Sequence, residues 1–265
     1  MTCDAAFRAA AIVAVLAAAA GCSRPQRWTE PHARMTFALV PSGRFTMGGP
    51  VGELGREAQE LPHEVAISRP FYMGIHEVTQ QQWQQVMGSN PSWFRDCGSD
   101  CPVERVSWQQ VQAFIARLNR LSSQRFRLPT EAEWEFACRA GTATPFSTGA
   151  DLTTVQANYD GEGPYGSSPP GRFRRTTTAV GSFPPNAFGL HDMHGNVWEW
   201  TQDCHCPYRA GSVIDPVGAC ATDFKVIRGG SWYFDANSAR CALRYTHRPQ
   251  DSGFSLGFRV VRPMD

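Results

Sequence analysis

Across residues 37–47 apolar and polar side chains alternate on either side of Pro41-Ser42-Gly43, the period-two pattern of two half-buried strands with a turn between them. Residues 65–67 and 71–75 predict further short strands. The period then lengthens. Thr79 precedes Gln82, Ser107 precedes Gln110 and Thr130 precedes Glu133, always by three positions. At that spacing a hydroxyl accepts from a free amide of the first helical turn while the later side chain accepts from the capping residue's own N–H. Three helices are expected. The first runs to about Met87, where Gly88 offers a left-handed stop. The second lines up Trp108, Val111, Phe114, Ile115, Leu118 and Leu121 on one face. The third, residues 131–139, buries Trp134, Phe136 and Ala137.

From Gly141 onward Gly, Pro, Ser and Asn are dense and periodicity fades. This half predicts loops held by a few strands, with Trp198, Trp200, Trp232, Phe254 and Phe258 supplying buried area, and with disulfides and bound cations restricting the chain. There is no internal repeat and no heptad.

A length of 265 residues suits one domain with an ample core. The formal charge of +1, with no run of like charges, argues against nucleic acid as a partner. Residues 1–21 read as an export signal: Arg8, then an Ala-rich apolar stretch over 9–20, then small residues. The stretch is shorter than the roughly 20 apolar residues of a membrane-spanning helix. Ala19-Ala20-Gly21-Cys22 resembles a bacterial lipobox, with Ala19 where Leu is commoner, so Cys22 is the expected lipidated first residue of the mature chain. Ser23 after that cysteine implies an outer-membrane lipoprotein facing the periplasm. Residues 22–34 would be the lipidated cysteine and tether, and residues 35–265 the folded domain.

Four motifs carry a family resemblance. Arg127-Leu128-Pro129-Thr130-Glu131-Ala132-Glu133-Trp134-Glu135 comes first, then Asp192-Met193-His194-Gly195-Asn196-Val197-Trp198-Glu199-Trp200. Arg228-Gly229-Gly230-Ser231-Trp232 and Gly257-Phe258-Arg259-Val260-Val261-Arg262 follow. In this order they resemble the formylglycine-generating enzyme, or sulfatase-modifying factor, family. The resemblance implies an α+β fold of the C-type-lectin-like kind, poor in regular secondary structure. It further implies a structural Ca²⁺ held by the side chains of Asp192 and Glu199 and the carbonyls of Gly195 and Val197, oxygen donors suited to a hard cation. A second calcium site would begin at Asn158-Tyr159, but residues 172–178 lack the expected Asp. The resemblance also pairs Cys138 with Cys241. From the residues themselves, Cys97 and Cys101 bracket a turn short enough to close on each other, Cys220 is left to pair with Cys204 or Cys206, and one thiol remains over.

Family enzymes bind copper through two cysteines after the Gly-Gly-Ser segment. Here Phe234 stands where the first belongs, the loop to Arg240 is shorter, and no thiol lies between Ser231 and Arg240. No catalytic residue and no copper are therefore expected. The peptide groove of the family would survive as a cleft around Ser231, Trp232 and Phe234. Cys204-His205-Cys206, with His191 and His194, is a weak transition-metal pattern, and those histidines are expected at a solvated rim. The neighbours His63-Glu64 and His76-Glu77 should point to opposite faces of strands and take no role. There is no phosphate-binding Gly loop and no nucleophile-elbow sequence. The expected function is a non-catalytic, peptide- or protein-binding accessory factor of the bacterial cell envelope. The rival expectation is a divergent oxidoreductase using the same cleft.

Overall fold

The computed structural model describes residues 26–219 and 222–264. The expected signal, Cys22 and Cys220 lie outside the described residues. The described residues begin with three strands, β1 (Arg27–Glu30), β2 (Met35–Val40) and β3 (Gly43–Met47), followed by β4 (His63–Ile67) and β5 (Phe71–Gly74). Three helices come next: α1 (Gln80–Met87), α2 (Trp108–Leu121) and α3 (Glu131–Arg139). The remaining strands are short: β6 (Trp198–Cys204), β7 (Val213–Ile214), β8 (Lys225–Arg228), β9 (Tyr245–His247), β10 (Leu256–Gly257) and β11 (Val261–Pro263). They form three sheets, ordered β1-β2-β5-β11, β10-β6-β8-β9 and β3-β4-β7.

Each predicted helix start is a closed capping box. Thr79, Ser107 and Thr130 accept from the backbone of Gln82, Gln110 and Glu133, whose side chains bond back to the cap. Gly88 ends α1 at φ 82°. On α2, Val111, Phe114, Ile115 and Leu118 are buried, while Leu121 is exposed at the last turn, outside the expected face. Residues 37–47 do form two strands, but they do not pair with each other. The chain changes sheet at Pro41-Ser42, so β2 pairs with β1 and β5 and β3 pairs with β4.

The expected tether is too long. Arg27–Glu30 pairs with residues 35–38 as an edge strand, and Ala33 is buried in the core. The reason is the stacking of Trp28 against Phe126, with ring centroids 6.1 Å apart, which holds this segment on the domain. Residues 27–34, which the expected boundary at 35 leaves in the tether, are therefore part of the folded unit.

Two large apolar clusters, with a smaller third around Phe146, Tyr159 and Tyr165, fill the interior of the described residues. In one, Trp83 and Phe114 stack with centroids 5.2 Å apart and Phe258 meets both edge-on. The other packs Trp134, Phe136 and Ala137 of α3 against Val65, Ile67, Phe71 and Met73. Disulfides join Cys97 to Cys101 and Cys138 to Cys241.

Candidate functional site

The Asp192–Trp200 and Arg228–Trp232 motifs meet in space. Gly195 N–H donates to the Gly229 carbonyl at 2.7 Å, and Trp232 N–H donates to the Asn196 carbonyl at 2.9 Å. Gly195, at φ 84°, lies so close to the next segment that a Cβ there would sit 2.2 Å from the Asn158 carbonyl oxygen. Gly230, at φ 72°, passes the Ser238 carbonyl, which a Cβ would approach to 2.8 Å. These two positions require glycine because side chains would collide with backbone. Beyond them Ser231 and Trp232 stay buried, and Tyr233 and Phe234 reach the surface.

Beneath this crossing lies a buried polar centre. Glu77, Asn158, Asp192, Asn196, Glu199 and Arg259 are all buried. Arg259 holds Glu199 through Nη2 to Oε1 at 2.6 Å and Nε to Oε2 at 2.7 Å, while Trp134 Nε1 donates to the same Oε2 at 2.8 Å. Asn196 Nδ2 donates to Glu77 Oε1 at 3.1 Å, and Gly181 N–H donates to Asp192 Oδ2 at 2.6 Å. The other oxygens, Glu77 Oε2, Asp192 Oδ1 and Asn158 Oδ1, are buried without a hydrogen-bond partner. Burial pushes the Asp192 carboxyl up to about 6, against the pull of Gly181 N–H and Arg259. Burial, then the neighbouring Asp192 carboxylate, pushes Glu77 well above the usual carboxylate range.

Three carboxyl groups thus share one guanidinium in a dry setting, and unpartnered acceptors of this kind are costly unless something compensates them. The chemistry fits a hard cation at Asp192. Of the expected set, Glu199 is the most engaged, since Arg259 and Trp134 use both of its oxygens. Glu77, which the sequence offers only as a neighbour of His76 with no role, joins this centre. Its signal is its position two residues before the capping Thr79, where α1 carries the chain into the core.

The expected cleft residues differ from one another. Ser231 is buried, its hydroxyl accepting from Tyr233 N–H at 3.4 Å. Trp232 is buried as the floor of a groove, with ring centroids 5.2 Å from Phe94 and 5.6 Å from Phe254. Phe234 is exposed and edges onto Trp198 at 5.6 Å. The groove, lined by Trp93, Phe94, Arg105, Arg175, Trp232 and Phe254, has a volume of about 590 Å³. Phe254, expected to be buried, is 43% exposed, and Trp93 is 67% exposed. Arg105 N–H donates to the Gly253 carbonyl at 2.9 Å, fixing Phe254's loop beside the wall that Trp93 forms.

The histidines are not at a solvated rim as a group. His194 is buried. Its Nδ1–H donates to the Ala239 carbonyl at 2.8 Å and its Nε2 accepts from Ser147 N–H at 3.0 Å, while burial pulls its pKa down to about 4. His194 lies against the Cys138–Cys241 disulfide. That trio is the only His, Cys and carboxylate grouping of metal-site dimensions among the described residues, and its sulfurs are spent in the disulfide. His191 Nδ1 is 2.8 Å from the Phe183 carbonyl and His205 Nε2 is 2.8 Å from Gln59 Oε1, so the weak metal pattern is not assembled. His63 is buried and Glu64 exposed, diverging as expected.

The profile of the sulfatase-modifying factor enzyme 1-like domain matches residues 25–264. The formylglycine-generating enzyme of Bos taurus is 29% identical over 291 residues, covering 88% of this chain and 76% of that protein. A second Bos taurus protein, inactive C-alpha-formylglycine-generating enzyme 2, is 28% identical over 89% of this chain and 91% of its own length. Among such relatives the chain spans from 38% to 95% of their length. The solved structure of PvdO from Pseudomonas aeruginosa is 30% identical, covers 91% of this chain and 100% of that one, and superposes with a TM-score of 0.77. With the motifs joined in one crossing and the profile spanning the whole described unit, the chain belongs to the sulfatase-modifying factor enzyme 1-like domain family.

Proposed function

We propose that this chain is a peptide- or protein-binding accessory factor of the bacterial cell envelope, exported, lipid-anchored at Cys22 and non-catalytic toward thiols. One observation carries the reading: where family enzymes need a copper-binding thiol stands the exposed ring of Phe234, joined through Tyr233 to Phe254, which with Trp93 walls an open groove. Contiguous exposed aromatic surface of this kind marks an interaction site. Thiol oxidation needs soft sulfur ligands, and Ser231, buried beside Phe234, has neither a base nor a thiol among its contacts. One family relative is itself described as inactive, which agrees with a domain that can lose the chemistry. Calcium would be held by Asp192, Glu199 and the carbonyls of Gly195 and Val197, with the unpartnered oxygen of Glu77 adding negative charge to the same centre. Bound there, the ion supplies positive charge to carboxylates that Arg259 alone does not balance.

The test is aerobic incubation of the protein with Cu(I) and a cysteine-containing sulfatase peptide, alongside a peptide-display selection on the wild type and on Trp93→Ala/Phe254→Ala. The expected outcome is no aldehyde and enrichment that disappears in the double variant. Conversion of the peptide thiol to an aldehyde would replace this reading with the oxidoreductase. Calcium is checked separately: it should raise the melting temperature of the wild type over chelator and leave Asp192→Ala unmoved.

A further inference from the structure

The groove carries more information than its apolar walls. Its only charged lining residues are Arg105 and Arg175. Both are exposed, and neither guanidinium is paired with a carboxylate among the described residues. Each instead lies over an aromatic ring: Arg105 Cζ is 5.7 Å from the Trp93 centroid and Arg175 Cζ is 5.3 Å from that of Phe173. Elsewhere the chain uses arginine differently, since Arg228, Arg240, Arg244 and Arg259 are all buried and held by carboxylates. Both groove arginines also sit at left-handed backbone positions, φ 60° and φ 61°. Residues other than glycine adopt that conformation at a cost, and such outliers collect at binding sites.

We infer that the groove selects an acidic peptide segment in which an apolar side chain is flanked by carboxylates. The inference rests on the peptide-binding reading of this groove and names its substrate class. The apolar side chain would enter between Trp93 and Phe254 over the Trp232 floor, and the carboxylates would meet Arg105 and Arg175. A guanidinium fork matches a carboxylate in two parallel hydrogen bonds, and stacking on a ring pre-orients the fork. A basic segment is disfavoured, because it would bring like charge to the only two charges present. An anionic sugar fits less well. Its hydroxyls need directional partners, whereas Trp93, Phe94 and Phe254 offer ring carbon and Trp232 Nε1 is already committed to the Phe254 carbonyl at 3.2 Å.

The experiment measures binding to the full chain by fluorescence anisotropy, at low and high salt, with a matched set of labelled peptides. One carries Phe between glutamates, and in three others the glutamates become glutamines, the glutamates become lysines, or the Phe becomes alanine. The Glu-Phe peptide is expected to bind about tenfold tighter than its glutamine version, with the difference shrinking in high salt. Arg105→Gln and Arg175→Gln should each weaken it about fivefold while leaving the glutamine version unchanged. The double reversal Arg105→Glu/Arg175→Glu should transfer the preference to the lysine peptide. The four substituted positions, Arg105, Arg175, Trp93 and Phe254, are all exposed, and unchanged melting temperatures confirm that the variants fold. If acidic and amide peptides bind alike but lose binding in Trp93→Ala/Phe254→Ala, the acidic preference is overturned and the groove reading stands. If no peptide binding depends on Trp93 and Phe254, the groove reading falls with it. Binding of a uronic-acid oligosaccharide but of no peptide overturns both.

Discussion

The two halves of the molecule solve the problem of the buried backbone in different ways. In residues 35–140, strands and capped helices satisfy N–H and C=O groups within ladders, and the side chains that pack are apolar. In residues 141–264 the ladders are short, and buried arginines take over. Arg228 donates to the carbonyls of Ala242 and Leu243 as well as to Glu135. Arg259 reaches the carbonyls of Gly74 and His191 beside Glu199, Arg244 reaches Cys206, and Arg240 reaches Gly55. A guanidinium has five donors and no acceptor, so one side chain can serve several irregular carbonyls while a carboxylate balances its charge. The carboxylates that do so include Glu131 and Glu135 of α3 and Glu53 and Glu60, all in the first half. The loop-rich half is thereby built onto the regular one by charge-assisted bonds more than by shared strands.

The comparison breaks most visibly at Arg228. Arg228→Ala leaves Glu135 with Arg139 as its only cation, beside the Gly48 N–H, and strands two carbonyls, and breaking a buried pair from one side costs roughly 3–5 kcal/mol. Urea unfolding of this variant should show a loss at least as large as that of Leu118→Ala, a cavity in the apolar core of the first half, which is expected to cost about 3 kcal/mol. If Arg228→Ala is nearly neutral, the guanidinium hubs do not hold the second half. Next in size is the disulfide that ties α3 to residue 241 across 103 positions of sequence. Cys138→Ser and Cys241→Ser should each lose about 3 kcal/mol and match one another, because either opens the same loop. Unequal losses in paired melts would show that one sulfur has a separate role.

The same division explains what was legible in the sequence. Capping boxes and apolar period gave α1 and α2 to within a residue, since local hydrogen bonds and one buried stripe decide them. Helix α3 was found by its cap, but its burial was not legible. All nine of its residues are buried, including Glu131, Glu133, Glu135 and Arg139: Glu131 and Glu135 are met by the distant Arg244 and Arg228, while Glu133 pairs with Arg127 and Arg139 with Glu135 nearby. In the second half the glycines and tryptophans identified a family crossing, and the resemblance supplied what periodicity lacked. It did not supply the groove: Arg105, Arg175 and Trp93 lie outside every motif, and Phe254 looked like core. Exposure of an aromatic residue is fixed by what fails to cover it, which no local pattern records.

A smaller effect probes the join between the halves at the groove. Glu104 is buried under its wall, with Oε1 accepting from Phe94 N–H at 2.9 Å and Oε2 unpartnered. Burial raises its carboxyl to about 7, only partly offset by the N–H groups of Phe94 and Trp93. A carboxyl whose pKa is higher folded than unfolded disfavours the fold once ionised. The penalty is full above about 7 and fades as pH falls toward the ordinary carboxyl value of 4.5. Glu104→Gln keeps an acceptor for Phe94 and removes the charge. It should stabilise the protein by on the order of 2 kcal/mol at alkaline pH and by little in acid. Melting temperatures of the two proteins across that range should converge as pH falls; a constant gap would assign the effect to packing.

The smallest expected change tests the first half on its own terms. Thr130 caps α3, accepting from Glu133 N–H at 3.1 Å, while Glu133 Oε2 accepts from Thr130 N–H at 2.8 Å and from Arg127 at 2.6 Å. Thr130→Ala removes one acceptor and leaves the reciprocal bond in place, so about 1 kcal/mol should be lost. Ser107→Ala at the start of α2 removes the same bond where no arginine touches the partner, Gln110. If local capping alone sets the cost, the two variants unfold at the same urea concentration. If Arg127 holds Glu133 in place for the rest of the fold, Thr130→Ala costs less than Ser107→Ala, because the ion pair keeps that side chain on the Thr130 amide after the hydroxyl has gone.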